Sequence, residues 1–225
     1  MRTIRAAFII LAVSMGMSAP GQTNPDNPLP HFVFPGFTKG VTRMKDGTVF
    51  SSNLNYNTVD EIMVTQLEGK YRFARDVGRI DTILIENKKF VPVGKVFYEV
   101  LLQGPVSFFL QNKSHLTPKG SSVGYGSRSQ SIGATNFKKF EMQQNLVNNQ
   151  WEVINIDLPS NLEVTPASVY WVRKNGNFEK FTNLNQFYKI FPEQESELKK
   201  FVKNEKINMN REDIIKLAIF CNQIY

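Results

Sequence analysis

The stretch FVPVGKVFYEVLLQGPVSFFLQ, residues 90–111, decides the fold. It is rich in β-branched and aromatic residues and is cut into three short runs: Phe90 to Val93, Val96 to Leu102 and Val106 to Gln111. Runs of this length and composition, bounded by Gly and Pro, read as strands. Pro92 and Pro105 suit edges or strand ends, because proline cannot donate to a ladder. Working back from this stretch, Arg79 to Glu86 is another strand, closed by Asn87 and Lys88. Tyr71 and Phe73 share one face of a further strand after the turn Glu68-Gly69-Lys70, and Ile62 and Val64 mark the one before it. Phe50, Leu54 and Tyr56 fall on one face by period-two alternation after the turn Lys45-Asp46-Gly47. Working forward, β character returns at Trp151 to Ile156 and at Val164 to Arg173, and Asn175-Gly176 turns the chain into Phe178 to Phe181.

The last 43 residues change period. Leu184, Phe187, Tyr188 and Phe191 recur as one helical face. Pro192 stops that helix and suits the first position of a second, whose stripe is Leu198, Phe201 and Val202. Asn210 is the expected N-cap of a third, with Ile214, Leu217, Ala218, Cys221 and Ile224 facing inward. The predicted fold is α+β: a mainly antiparallel β-sandwich or open barrel of short strands, followed by three C-terminal helices. No repeat of 20–50 residues is present, so a solenoid is not expected.

The N-terminus reads as an export signal. Arg2 and Arg5 precede an apolar run from Ala6 to Met17, too short for a bilayer span, and small residues follow. Cleavage after Gly21 leaves Gln22 first. The expected organisation is a signal peptide at 1–21, a linker at 22–36, a β-rich domain at 37–181 with a long basic Gly/Ser loop at 112–140, and a helical region at 182–225 packed on it. No later run is apolar enough to span a membrane. Cys221 is the only cysteine, so export brings no internal disulfide.

Several motifs resemble those of an uncharacterised family of exported, β-rich envelope proteins of Gram-negative bacteria. They include Lys45-Asp46-Gly47 followed by Leu54-Asn55-Tyr56-Asn57, then Phe90-Val91-Pro92, Phe97-Tyr98-Glu99 and Gly104-Pro105-Val106. Tyr125-Gly126, Ser129-Gln130 and the end from Tyr170 through Phe191-Pro192 continue the likeness. The resemblance implies a periplasmic or outer-membrane-facing location, or secretion, and no transferable activity.

Chemistry is mostly excluded by inventory. His31, His115 and Cys221 are the only N or S metal ligands and have no metal-site spacing, so no metal or other cofactor is expected. Gly120-Ser121-Ser122-Val123-Gly124 matches a nucleophile-elbow pattern, but no helix pattern and no later histidine follow it. Cys221 lies on an apolar helix face, where thiols are inert. Asp60-Glu61 and Glu193-Glu195 read as strand-edge and helix-start acids. Tyr225 ends a helical pattern, unlike the last strand of an outer-membrane barrel.

The distinctive feature is electrostatic. Val100 to Phe140 holds no Asp or Glu, but contains Lys113, Lys119, Arg128, Lys138 and Lys139, with Tyr125 among them. The chain carries +7, which falls to +5 once Arg2 and Arg5 are removed; this one stretch matches that excess. These residues are the expected binding site of a non-catalytic binding or assembly factor that docks on an envelope protein or acidic envelope surface. The alternative is a carboxylate-dependent hydrolase acting on an envelope polymer. Nucleic acid is not the expected partner despite a pI near 9.4, because export removes it and no recognition motif appears. N-terminal sequencing of protein from an envelope fraction should begin near Gln22; an intact Met1 form held in the cytoplasm would refute export.

Overall fold

The computed structural model describes residues 29–74, 76–119 and 151–225. The export signal, the start of the linker, the elbow pattern, and Tyr125, Arg128, Lys138 and Lys139 of the basic loop lie outside them. Among the described residues, thirteen strands and three α-helices follow in chain order. The first four strands, β1 (Thr38–Met44), β2 (Val49–Asn57), β3 (Ile62–Leu67) and β4 (Lys70–Ala74), form one meander. The next four, β5 (Ile80–Ile85), β6 (Lys88–Val93), β7 (Val96–Leu102) and β8 (Ser107–Gln111), form a second. Then come β9 (Ser114–Pro118), β10 (Trp151–Val153), β11 (Leu162–Pro166), β12 (Val169–Lys174) and β13 (Asn177–Phe181). The helices are α1 (Leu184–Ile190), α2 (Glu195–Asn204) and α3 (Arg211–Ile224).

Eleven strands make one antiparallel sheet, in the order β10-β4-β3-β2-β1-β5-β6-β7-β8-β12-β13, and β9 pairs with β11 in a separate ribbon. Among the described residues the sheet does not close: β10 and β13 are its two ends. It is nonetheless strongly bent. Tyr56 on β2 stacks on Phe90 of β6 with ring centroids 5.6 Å apart, and its hydroxyl donates to the Phe97 carbonyl of β7 at 3.2 Å. Strands that are far apart in the ladder therefore meet across an interior, which makes this an open barrel within the predicted α+β class. Gly40 helps the bend. A Cβ there would lie 2.8 Å from the Leu84 carbonyl oxygen and 2.9 Å from a Leu54 methyl, so this position in β1 accepts no side chain.

Directly opposed residues of an antiparallel pair share a face, which sorts the side chains. On the inner face, Leu54, Tyr56, Met63, Ile83, Ile85, Phe90 and Phe97 form the barrel core together with Phe34. Further along the same face, Phe108, Leu110, Tyr170, Val172 and Phe181 are covered by the helices, chiefly by Phe187, Phe191, Leu198, Ile214, Leu217 and Cys221. On the outer face of β3, Val64 packs with Phe32, Ile154 and Ile156, from chain segments laid over that end of the sheet.

Glu99 of β7 is fully buried between the barrel core and the helix-covered core. Its Oε1 accepts from Lys88 Nζ at 2.9 Å and from Arg211 Nε at 2.6 Å, and its Oε2 accepts from Asn112 Nδ2 at 3.1 Å. One carboxylate thus ties β6, β7, the β8–β9 connection and the start of α3. The far end of α3 is fixed by Asn222, whose amide exchanges two hydrogen bonds with the Val106 backbone, at 3.1 and 2.8 Å.

Several local expectations change. Residues 114–118, placed within the loop, form β9. The single β region at 164–173 is two strands, since β11 pairs with β9 whereas β12 pairs with β8. Pro92 lies in an interior strand, but pairing with β5 ends at Phe90, so its missing N–H breaks no bond on that side. Pro192 does not open α2; Gln194 is its N-cap. Asn210 does cap α3, its Oδ1 accepting from the Asp213 N–H at 2.9 Å.

Leu217→Ala should destabilise the protein by about 2–5 kcal/mol in reversible unfolding, since Leu217 is fully buried under the sheet. Glu99→Ala should cost about 3 kcal/mol, because Lys88 and Arg211 lose their counter-charge. A change below about 0.5 kcal/mol in either variant would contradict this packing.

Candidate binding site

The basic loop begins where β8 ends. Lys113, in the β8–β9 connection, is not a free cation: its Nζ lies 3.4 Å from Glu61 Oε2. Glu61 closes the β2–β3 turn with a left-handed backbone, φ 57°. Its Oε1 accepts a short hydrogen bond from Gln111 Nε2, and Gln111 Oε1 accepts from Trp171 Nε1 at 3.0 Å. The same turn is bound to β9: the Thr58 hydroxyl lies 3.0 Å from that of Ser114, and Ser114 N–H donates to the Thr58 carbonyl at 2.9 Å. Lys113 therefore serves as a bracket that holds the base of the loop. Lys119 differs, standing exposed just past the end of β9. The structure thus separates these two predicted residues. Tyr125, Arg128, Lys138 and Lys139 lie outside the described residues.

The base of the loop is stiff for a stated reason. β9 and β11 pair from Leu162 opposite Pro118 to Pro166 opposite Ser114. The Lys119 N–H then donates to the Asn161 carbonyl at 2.9 Å, and Ala167 N–H to the Lys113 carbonyl at 2.8 Å. Ladder bonds thus run on beyond both ends of the ribbon.

A shallow surface hollow lies beside this ribbon's anchor, lined by His31, Asn57, Asp60, Asn155, Ile156 and Asp157 among others. His31 is 3% exposed. Its carbonyl accepts from both the Thr58 N–H and hydroxyl, at 2.8 and 3.0 Å, and its ring packs on Phe32. Nδ1 has no partner among the described residues. Burial drives the imidazole pKa down to about 4, against the smaller opposing effects of the Ile156 backbone and Asp157. A neutral histidine buried beneath a chain segment is a packing element rather than an acid–base catalyst at neutral pH.

Other candidate chemistry is absorbed by structure. Burial pushes the Cys221 thiol up to about 12, which leaves it without nucleophilic character at neutral pH. The Asn57 amide donates to Asp60 Oδ2 at 2.9 Å. Burial, and then the nearby Glu61 charge, raise the pKa values of Tyr56 and Tyr98. Among the described residues, no group of three His, Cys, Asp or Glu side chains is placed to hold a metal ion.

Sequence reasoning missed a second set of residues. Trp171 stacks on Tyr98 with centroids 5.4 Å apart, Phe178 meets Trp171 edge-on at 6.4 Å, and Arg173 lies over Phe109 and Phe178 at 5.6 and 5.9 Å. These residues sit on the face of the sheet opposite the helices. The strand runs at Val106 to Gln111 and Val164 to Arg173 were readable, but only the register reveals which cations join the aromatic rings.

No family profile, curated protein or solved structure matches the chain.

The buried neutral imidazole makes stability depend on pH. Its folded pKa lies below the unfolded value, so the contribution is complete above about pH 6.5 and is lost as pH falls through about 4. Urea unfolding should show a loss on the order of 3 kcal/mol over that window attributable to His31. A His31→Asn variant should lack this component. Equal pH slopes for variant and wild type would show that the imidazole does not resist protonation.

Proposed function

We propose that the protein is an exported, non-catalytic envelope protein, a binding or assembly factor that docks on an acidic envelope protein or surface through its basic segment. It works in the periplasm or on the periplasmic face of the outer membrane. The observation that carries this reading is the mounting of the segment. A braced ribbon, tied to the β2–β3 turn through Ser114, delivers Lys119 exposed at its end. Arg128, Lys138 and Lys139 follow in sequence. A stiff base shortens the search for a partner, since less of the chain has to be ordered on binding. Exposed cations in such a segment act together through long-range attraction, each contributing little and all screened within about 8–10 Å at physiological salt.

The role of Lys113 sharpens the test. Replacing Lys119, Arg128, Lys138 and Lys139 together by Ala should weaken retention on native envelopes strongly at low salt, chiefly through the association rate. Lys113→Ala should instead lower stability by about 0.5–1 kcal/mol, as expected for a partly exposed pair, with little effect on retention. Equal retention of the fourfold variant and wild type at both low and high salt would remove the docking function from this segment.

A further inference from the structure

The outer face of the sheet sorts charge in a way the core does not require. Opposed residues place Val41, Leu84, Lys89 and Val100 in one row across β1, β5, β6 and β7. The row continues through Phe109 and Trp171 to Lys180 of β13. Lys39 and Arg43 flank Val41 on the same side of β1, and Arg173 flanks Trp171 on β12. Lys39, Arg43, Arg173 and Lys180 are all exposed. Among the described residues, none of these four has a carboxylate at ion-pair distance.

These seven strands hold only three acidic residues. Glu99 is buried on the inner face, and Glu179 pairs opposite Val172 on the helix-covered face. Asp81 is the extra residue at the β1–β5 irregularity, where Arg43 opposes Thr82 and Met44 opposes Ile80. Cations and aromatic rings thus share one face, to which these strands themselves add a single carboxylate, Asp81, at the margin. A face used only to keep the protein soluble would mix both signs.

We propose that this face binds an acidic polysaccharide, a linear anionic polymer of sugar rings. Three observations favour that occupant. The cations spread over about 29 Å, six interstrand steps, which suits a polymer bearing charge at intervals. Phe178, 37% exposed beside Arg173, offers a ring on which a sugar ring can stack while the guanidinium takes its carboxylate. The face is the convex side of a bent sheet, so a flexible chain can follow it. A flat bilayer fits worse. The protruding apolar residues Leu84 and Phe178 stand five strand steps apart, about 24 Å, on a curved surface, and cannot both enter one membrane plane. This site is distinct from the basic segment and does not rest on the reading given to it.

The test uses the whole exported protein and alginate, a polyuronate, as the probe. Poly-glutamate, phosphatidylglycerol vesicles and neutral dextran serve as comparisons. Alginate should bind tightest and dextran not at all. Lys39→Glu, Arg43→Glu and Lys180→Glu together should weaken alginate binding at least about tenfold at low salt, with the thermal midpoint unchanged because all three side chains are exposed and lie over no ring among the described residues. Phe178→Ala should weaken alginate binding more than poly-glutamate binding, since only the sugar polymer stacks. The fourfold Ala variant of the basic segment should keep alginate binding. Loss of binding in that variant but not in the charge-reversed one would overturn the proposal. So would equal or tighter binding of poly-glutamate or of vesicles.

Discussion

A carboxylate with no access to water can stay charged only if cations and donors are brought to it, and Glu99 imposes that constraint on the whole molecule. Its partners come from β6, from the β8–β9 connection and from the first residue of α3. Meeting it fixes the approach of α3 to the sheet and the path of the chain as it leaves β8. Lys88 and Arg211 keep some contact with solvent, with side chains 19% and 26% exposed, so the desolvation cost falls mainly on the carboxylate. The site lies between two apolar cores on one face of one sheet. A hydrophobic residue there would let those cores merge in more than one way. A paired charge has to meet Lys88, Arg211 and Asn112 together, which the observed approach of α3 to the sheet achieves.

The same logic explains the second bracket. Where Glu99 fixes the helices to the sheet, Glu61 fixes the β2–β3 turn to the end of β8 through Gln111 and Lys113. Glu61 holds a left-handed backbone that a glycine would adopt more cheaply. The carboxylate justifies that conformation, since glycine would leave Lys113 and Gln111 without an acceptor. Together the brackets consume Lys88 of β6, Arg211 of α3 and Lys113 at the foot of the basic segment. The charge left for contact with other molecules is therefore smaller than the composition suggests, and it is placed differently.

The class of the fold was legible because it rests on local pattern. The alternation of Leu54 and Tyr56 marks the inner face of β2, although Phe50 of the same alternation stands 52% exposed, and the Leu184–Phe187–Tyr188–Phe191 spacing marks the buried side of α1, both readable within one element. Asn210 announced α3 because capping is a matter of three residues. Features that depend on register or on distant partners were hidden. Glu99 sits in VFYEVLL, where alternation assigns it a face but says nothing of what covers that face; its Arg211 partner is 112 residues away. Strand β9 reads as loop because Ser114-His115-Leu116-Thr117-Pro118 is short and polar, and it is a strand only because β11 pairs with it. Lys113 and Lys119 look alike in sequence, and only the position of Glu61 distinguishes a bracket from an exposed cation.

The two faces of the long sheet show what the missing information was. The inner face is decided by hydrophobicity, which leaves its record in every strand. Outside the Tyr98, Phe109, Trp171 and Phe178 cluster, the outer face between β1 and β13 is open to polar residues, and a single strand contributes too few charges to reveal a bias. The bias emerges only when the strands are set side by side: Lys39 and Arg43 come from one meander, Lys89 from the other, and Arg173 and Lys180 from the final hairpin. The sequence order of these residues spans 141 positions, whereas the ladder brings them within seven adjacent strands. Folding stability makes little demand on exposed positions of this kind, where substitutions usually change it by less than about 0.5 kcal/mol. The packed rings of this face serve stability, but a one-sided arrangement of exposed charge beside them needs another cause, and contact with an anionic partner supplies one.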